Sequence, residues 1–164
     1  MLFPASVALV IATPWGWPLA GEPEPVRLFA PPPERWLSGH RGVDLPAVSG
    51  QEVLAAGEGV VTVARRVAGR GVVTVAHANG LRTTYLPVDA TVTEGQRVRT
   101  GEVLGTVGGP DGHCPATCLH WGLLSGDLYL DPLHLMGLGQ VRLLPLAGDH
   151  AAIRPGGGPA DRRP

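Results

Sequence analysis

The sequence predicts a mainly β domain, and three observations carry that prediction. Short runs dominated by β-branched residues recur at Val53-Leu54-Ala55, Gly59-Val60-Val61-Thr62-Val63 and Gly71-Val72-Val73-Thr74-Val75. Ala78-Asn79-Gly80 is a hairpin turn of the kind that needs a positive φ angle, joining the last of these runs to Leu81-Arg82-Thr83-Thr84-Tyr85. The 24 glycines and 17 prolines of this 164-residue chain punctuate the whole with corners. A chain of this length supports one domain with its own core.

In chain order, Met1 to Ala20 is an apolar run too short, and too broken by Pro14 and Pro18, for a comfortable membrane span. It reads as a secretory signal, although no Lys or Arg precedes the apolar stretch and Pro18-Leu19-Ala20 is a poor cleavage site. An uncleaved anchor, or a start codon placed too late, stays open as the alternative. The proline-rich stretch 21–33 is an extended lead-in with one short strand around Val26 to Phe29. Trp36 is read as a hydrophobic lid for the core edge in preference to a ligand-binding ring. The β domain runs over 34–146. Within it, the glycine-punctuated stretch from Val92 to Gly105 makes further short strands, residues 108–117 a loop, and Cys118 to Leu124 a strand. Leu130 to Met136 forms a short C-terminal helix with proline in its first turn. The Gly-, Pro- and Arg-rich stretch 147–164 reads as a disordered tail.

Composition excludes several functions. All 13 basic residues are arginine, so no mechanism can use a lysine amine. A formal net charge of −1 without a basic stripe argues against a nucleic-acid partner. Gly95-Gln96-Arg97-Val98 with Gly101-Glu102-Val103-Leu104 resembles the repeat of biotinyl- or lipoyl-type carriers, but a carrier needs a lysine to modify. Two cysteines, Cys114 and Cys118, in a chain that looks exported allow a disulfide.

The stretch with most chemistry is Gly39-His40-Arg41-Gly42-Val43-Asp44. A histidine and an aspartate separated by three residues, among glycines where the backbone turns sharply, can aim imidazole and carboxylate at one metal. His120 in Cys118-Leu119-His120-Trp121-Gly122 is the best third ligand. The competing reading makes His40 and Asp44 turn caps and His120 a satisfied core histidine.

Taken in order, Gly39-His40-Arg41-Gly42-Val43-Asp44-Leu45, Ala55-Ala56-Gly57-Glu58-Gly59-Val60-Val61, Asn79-Gly80, Gly95-Gln96-x-Val98, Gly101-x-Val103-Leu104-Gly105 and Leu119-His120-Trp121-Gly122 resemble the LytM/lysostaphin-type zinc metallopeptidases over roughly Val26 to Gly137. The resemblance implies an all-β, two-sheet antiparallel core of lysostaphin-like, barrel-sandwich hybrid type, acting outside the cytoplasm on the peptide cross-links of bacterial peptidoglycan. It implies Zn²⁺ held by His40, Asp44 and His120. Two neutral imidazoles and one carboxylate would leave an open position for water, whose pKa the metal lowers to about 7.

Two departures follow from the same comparison. Where the family carries a histidine two residues after the tyrosine of the middle strand, this chain has Tyr85-Leu86-Pro87. Where it carries a histidine two residues before the last ligand, on the same strand face, this chain has Cys118. His113 is the candidate to replace the missing catalytic histidine if a Cys114–Cys118 disulfide folds the 115–117 loop over the groove; an exposed loop histidine is the alternative. A second alternative keeps Cys118 as a thiolate and fourth zinc ligand, closing the site. Tyr85 is a candidate substrate-binding phenol or a core tyrosine, His77 a turn residue, and Arg41 and Arg82 candidate carboxylate binders or solvated surface arginines. A membrane is a partner only through an uncleaved N-terminal segment, and the oligomeric state is not legible. The rival function is a catalytically inactive zinc-containing cell-wall binding or regulatory domain of the same fold.

Overall fold

A computed structural model describes residues 15–34, 36–109 and 113–138. The tail read at 147–164 and the first 14 residues of the leader lie outside the described residues. Ten strands form two antiparallel sheets. The larger contains β1 (Val43–Pro46), β3 (Gly59–Val67), β4 (Arg70–Ala76), β5 (Leu81–Leu86), β7 (Arg97–Val98), β9 (Cys118–Ser125) and β10 (Leu128–Leu130), in the order β1-β9-β5-β4-β3-β7 with β10 also on β9. The smaller orders β2 (Glu52–Leu54), β8 (Val103–Val107) and β6 (Val88–Ala90) as β2-β8-β6. The two-sheet antiparallel core expected from the sequence is the fold observed.

The strands form where alternation or continuous apolar sequence demands burial. In β5 the side chains of Thr83 and Tyr85 point inward, and in β9 all but Leu124 and the partly exposed His120 of the residues 119–124 are almost wholly removed from water. Tyr85 pairs with Trp121 across β5 and β9, and both are fully buried. Leu45, Val53, Val75, Leu104 and Leu119 fill the space between the sheets. Each contributes about 1.5–3 kcal/mol by burial, less the entropy of ordering it. At the β4–β5 turn Gly80 has φ 80°, and Asn79 Oδ1 accepts from the Leu81 amide at 3.2 Å, as the hairpin reading requires. The C-terminal helix is a 3₁₀ turn, Pro132–Met136, begun by the Asp131 carboxylate accepting from the Leu133 amide and ended by left-handed Gly137.

Three expectations change. The residues assigned to the end of the leader belong to the β domain: Leu19 is 1 % exposed, the Leu54 amide donates to the Pro18 carbonyl at 2.8 Å and Gly16 N donates to Ala56 O at 2.8 Å. Trp15 meets the His77 ring edge-on at 4.8 Å, and Trp17 packs 6.1 Å from Trp121. A boundary after Ala20 would strip this packing from the core. The strand expected around Val26 to Phe29 reduces to isolated bridges, Arg27 to Asp44 and Ala30 to His40, because the prolines on either side supply no amide to extend a ladder. Trp36 is no lid: it is 80 % exposed.

Leu19→Ala is expected to cost about 2–5 kcal/mol in urea denaturation because it empties a core site, whereas Trp36→Ala should stay within about 0.5 kcal/mol.

Candidate metal centre

Four side chains from three segments converge on one point. His40 stands just before β1, Asp44 within it, His120 within β9, and His113 in the loop that precedes β9. β1 and β9 are antiparallel neighbours with Asp44 directly opposite His120, so both side chains leave the same face. Their Asp44 Oδ1 and His120 Nδ1 atoms are 2.8 Å apart. His40 Nε2 and His113 Nε2 each lie 3.0 Å from the same carboxylate oxygen, and His40 Nε2 lies 3.1 Å from His120 Nδ1. The backbone permits this approach because residue 42 is glycine: a Cβ there would sit 2.7 Å from His120 Nε2.

Hydrogen bonding decides which atoms face inward. His40 Nδ1 is 2.7 Å from the Leu28 carbonyl, which only accepts, so Nδ1 carries the proton. A neutral His40 then presents the Nε2 lone pair to Asp44 and His120. In that form, lone pair against carboxylate oxygen at 3.0 Å is repulsive unless a proton or a metal cation lies between them. Asp44 is fully buried, and its Oδ2 has no hydrogen-bond partner. A buried acceptor without a protein donor has room for a water or an ion as its partner. The four donor atoms lie within 4.8 Å of one another, and an N₃O set suits zinc.

The electrostatics favour the ligand forms of these groups. Burial would push the Asp44 carboxyl up, but the hydrogen bond with His120 and the neighbouring His40 outweigh it and hold the pKa down at about 2. Burial, opposed by Asp44, lowers the His120 pKa and keeps that imidazole neutral at neutral pH.

Cys114 and Cys118 are disulfide-bonded, so Cys118 is no thiolate ligand here. The bond closes the 115–117 loop against β1, where Ala47 N donates to Thr117 O at 3.3 Å and Pro46 pairs with Cys118. His113, the residue before the bridge, is thereby held with its ring over Asp44, with centroids 5.8 Å from His40 and 5.1 Å from His120.

Tyr85 does not line the groove. Its hydroxyl belongs to a buried chain whose directions are forced from one end: His77 Nδ1 donates to Glu58 O at 2.7 Å, so His77 Nε2 accepts from Thr83 Oγ1 at 2.8 Å. Thr83 in turn accepts from the Tyr85 hydroxyl at 2.8 Å, which accepts from Ala56 N at 2.9 Å. Burial pushes the phenol up to about 12, and burial also lowers His77. The phenol is structural because β5 alternation turns it inward with Thr83. His77 is at its turn as expected but also buried, with both ring nitrogens engaged. Of the arginines named from sequence, Arg41 donates to Leu37 O at 3.0 Å and lies over the Tyr129 ring, and Arg82 donates to Gly126 O. A cleft of about 820 Å³ around Glu58, Arg97 and Arg99 is larger than the space at the histidines but holds no cluster of ligand atoms among the described residues.

Sequence reasoning missed the Leu28 carbonyl that orients His40, and the groove formed by the lead-in. The two bridges from Arg27 and Ala30 carry both, and backbone pairing across a proline-rich segment leaves no side-chain pattern to read.

Residues 38–132 match the model of peptidase family M23. The uncharacterized protein Rv2891 of Mycobacterium tuberculosis is 46 % identical over 139 residues, covering 82 % of this chain and 56 % of that protein; the chain thus spans about half the length of this relative. Peptidoglycan DD-endopeptidase ShyC of Vibrio cholerae is 33 % identical over 98 residues, 58 % of this chain and 22 % of ShyC. In fold, the solution structure of lysostaphin superposes with a TM-score of 0.59 at 23 % identity, over 77 % of this chain and 58 % of that one.

Titration of metal-free protein with zinc should reach about one equivalent, and Asp44→Asn or His120→Ala should each weaken binding by more than the roughly 10–100-fold typical of outer-sphere partners. Zinc needs the unprotonated imidazole. Because burial lowers the His120 pKa, its proton competes with the metal only on the acid side of the ordinary imidazole range, so affinity should be level at neutral pH and fall as the solution is acidified beyond that range, by up to about tenfold per pH unit for each proton displaced.

Proposed function

The chain belongs to peptidase family M23, and from that membership and the four converging side chains we propose that it is a zinc-dependent endopeptidase hydrolysing the peptide cross-links of bacterial peptidoglycan. The observation that carries the catalytic reading is His113 Nε2 at 3.0 Å from Asp44 Oδ1, an imidazole delivered to the site from outside the family motifs. The DD-endopeptidase activity in the name of ShyC, 33 % identical over the shared segment, supports the substrate class. The disulfide and the apolar leader support action outside the cytoplasm.

His40, Asp44 and His120 would hold the metal. Zinc bound there supplies Lewis-acid polarisation of a peptide carbonyl and acidification of water. His40 is kept in one tautomer by the Leu28 carbonyl, so its lone pair needs no reorientation on binding. Asp44, excluded from solvent, neutralises part of the metal charge and fixes the position of both neighbouring imidazoles. His113 is partly exposed, with its side chain 24 % accessible, and so reaches both the site and the substrate groove. It accepts a proton as water attacks the carbonyl and returns it to the leaving amine, in a chain where Pro87 and Cys118 stand at the positions of the family's helper histidines. The disulfide acts as a positioning element for this ring.

A second reading has a specific observation in its favour. His113 also lies within 4.8 Å of all three other donor atoms, so it can complete a four-ligand zinc site, closing it to water and leaving a non-hydrolytic cell-wall domain.

Zinc content and peptide release from purified peptidoglycan distinguish the two. On the catalytic reading the parent holds about one zinc and releases peptide, and His113→Ala keeps the zinc while release falls about 10²–10⁴-fold. Reduction of the disulfide should slow release without removing zinc. Zinc held without release, and weakened by His113→Ala, would instead establish the closed site.

A further inference from the structure

Resting on the peptidase reading, we infer that Arg27 is a specificity-determining residue, pairing with a free carboxylate on a small-side-chain segment of the substrate. The groove that opens over Asp44 and His113 has a volume of about 420 Å³, at the small end of the roughly 300–1,000 Å³ range of ligand sites. It has room for a few short residues. Val26 and Arg27 form one wall, and the disulfide with Pro115 and Ala116 the other.

Both walls are tied to the metal centre through the backbone. Val26 N donates to Asp44 O at 2.8 Å, and Asp44 N donates to Arg27 O at 2.9 Å. The Arg27 side chain is therefore rooted directly beside a metal ligand. The opposite wall is held by the disulfide and by the Ala47 to Thr117 hydrogen bond. The backbone of neither wall needs to order itself around the substrate, which leaves chiefly the Arg27 side chain to be ordered on binding.

The charge pattern selects the ligand. Among the described residues, apart from Arg27, Asp44 and His113, the groove is lined by apolar side chains, the disulfide and Thr117, and Asp44 Oδ1 is committed to the imidazoles. Among the described residues Arg27 is the one guanidinium in the lining, and its side chain has no hydrogen bond or ion pair with them. An exposed guanidinium at the edge of an apolar cleft matches a carboxylate in bidentate geometry. Proline and alanine on the facing wall suit a methyl-sized side chain.

The test uses two synthetic cross-link peptides of alanine-sized residues, identical except for a free carboxylate or a carboxamide beside the scissile bond. The zinc-loaded parent should favour the carboxylate peptide roughly tenfold or more in kcat/KM, mostly through KM, and high salt should narrow the preference. Arg27→Gln should reduce the carboxylate peptide to the level of the carboxamide, leaving the carboxamide rate and the zinc content unchanged. Arg27→Lys should restore part of the preference. Equal cleavage of both peptides by the parent, or a preference that survives Arg27→Gln, overturns the assignment. If the parent cuts neither peptide nor peptidoglycan, the hydrolase reading fails separately. Calorimetric titration of the same peptides into parent and Arg27→Gln protein then decides Arg27, since carboxylate-selective binding lost in the variant supports it and equal binding overturns it.

Discussion

One buried carboxylate organises the functional half of this molecule. Asp44 is fully shielded from water, yet its carboxyl pKa is held down at about 2, against the effect of burial, chiefly by its hydrogen bond with His120. An isolated carboxylate at this depth would cost several kcal/mol. The hydrogen bond with His120 reduces that cost, and the inward His40 lone pair beside Asp44 Oδ1 marks a place for a cation. The pairing of β1 with β9, the glycine at 42 and the bridges to the lead-in all bring groups to this one side chain.

On the proposed reading, one constellation is rebuilt here from different parts. A histidine at position 118 on the β9 face would share the side of the strand from which His120 meets Asp44, because strand side chains alternate. Here that position holds Cys118, and its sulfur, bonded to Cys114, closes a loop whose first flanking residue is His113. The imidazole enters from the loop side, 3.0 Å from Asp44 Oδ1. A loop is mobile unless constrained; the covalent closure and the contact with β1 supply that constraint. The price is a dependence on oxidation that a strand-borne histidine would not have.

The lead-in is equally consequential. Proline-rich sequence lacks the amides for a full strand, yet its two bridges place the Leu28 carbonyl on His40 and the Arg27 side chain beside the groove. Upstream, Trp15 to Leu19 packs on the core and touches His77, whose hydrogen-bonded chain ends at Tyr85 and Ala56. The segment preceding the metal motif is thus part of the fold.

Local chemistry made much of this legible in the sequence. β-branched runs, the Asn79-Gly80 turn and glycine corners determined a β domain, because strand propensity and positive φ are properties of short stretches. The spacing of His40, Asp44 and His120 within ordered motifs determined the candidate ligands. Long-range closure decided the rest. Whether His113 reaches Asp44 depends on a contact across 69 residues, and a histidine in a loop carries no periodicity that aims it. Tyr85 was ambiguous for the complementary reason: its strand position was readable, but which sheet face was the core depended on the pairing with β9. Trp36 and Leu19 exchanged their expected places because hydrophobicity states a preference for burial, and only the packed structure supplies the site that satisfies it.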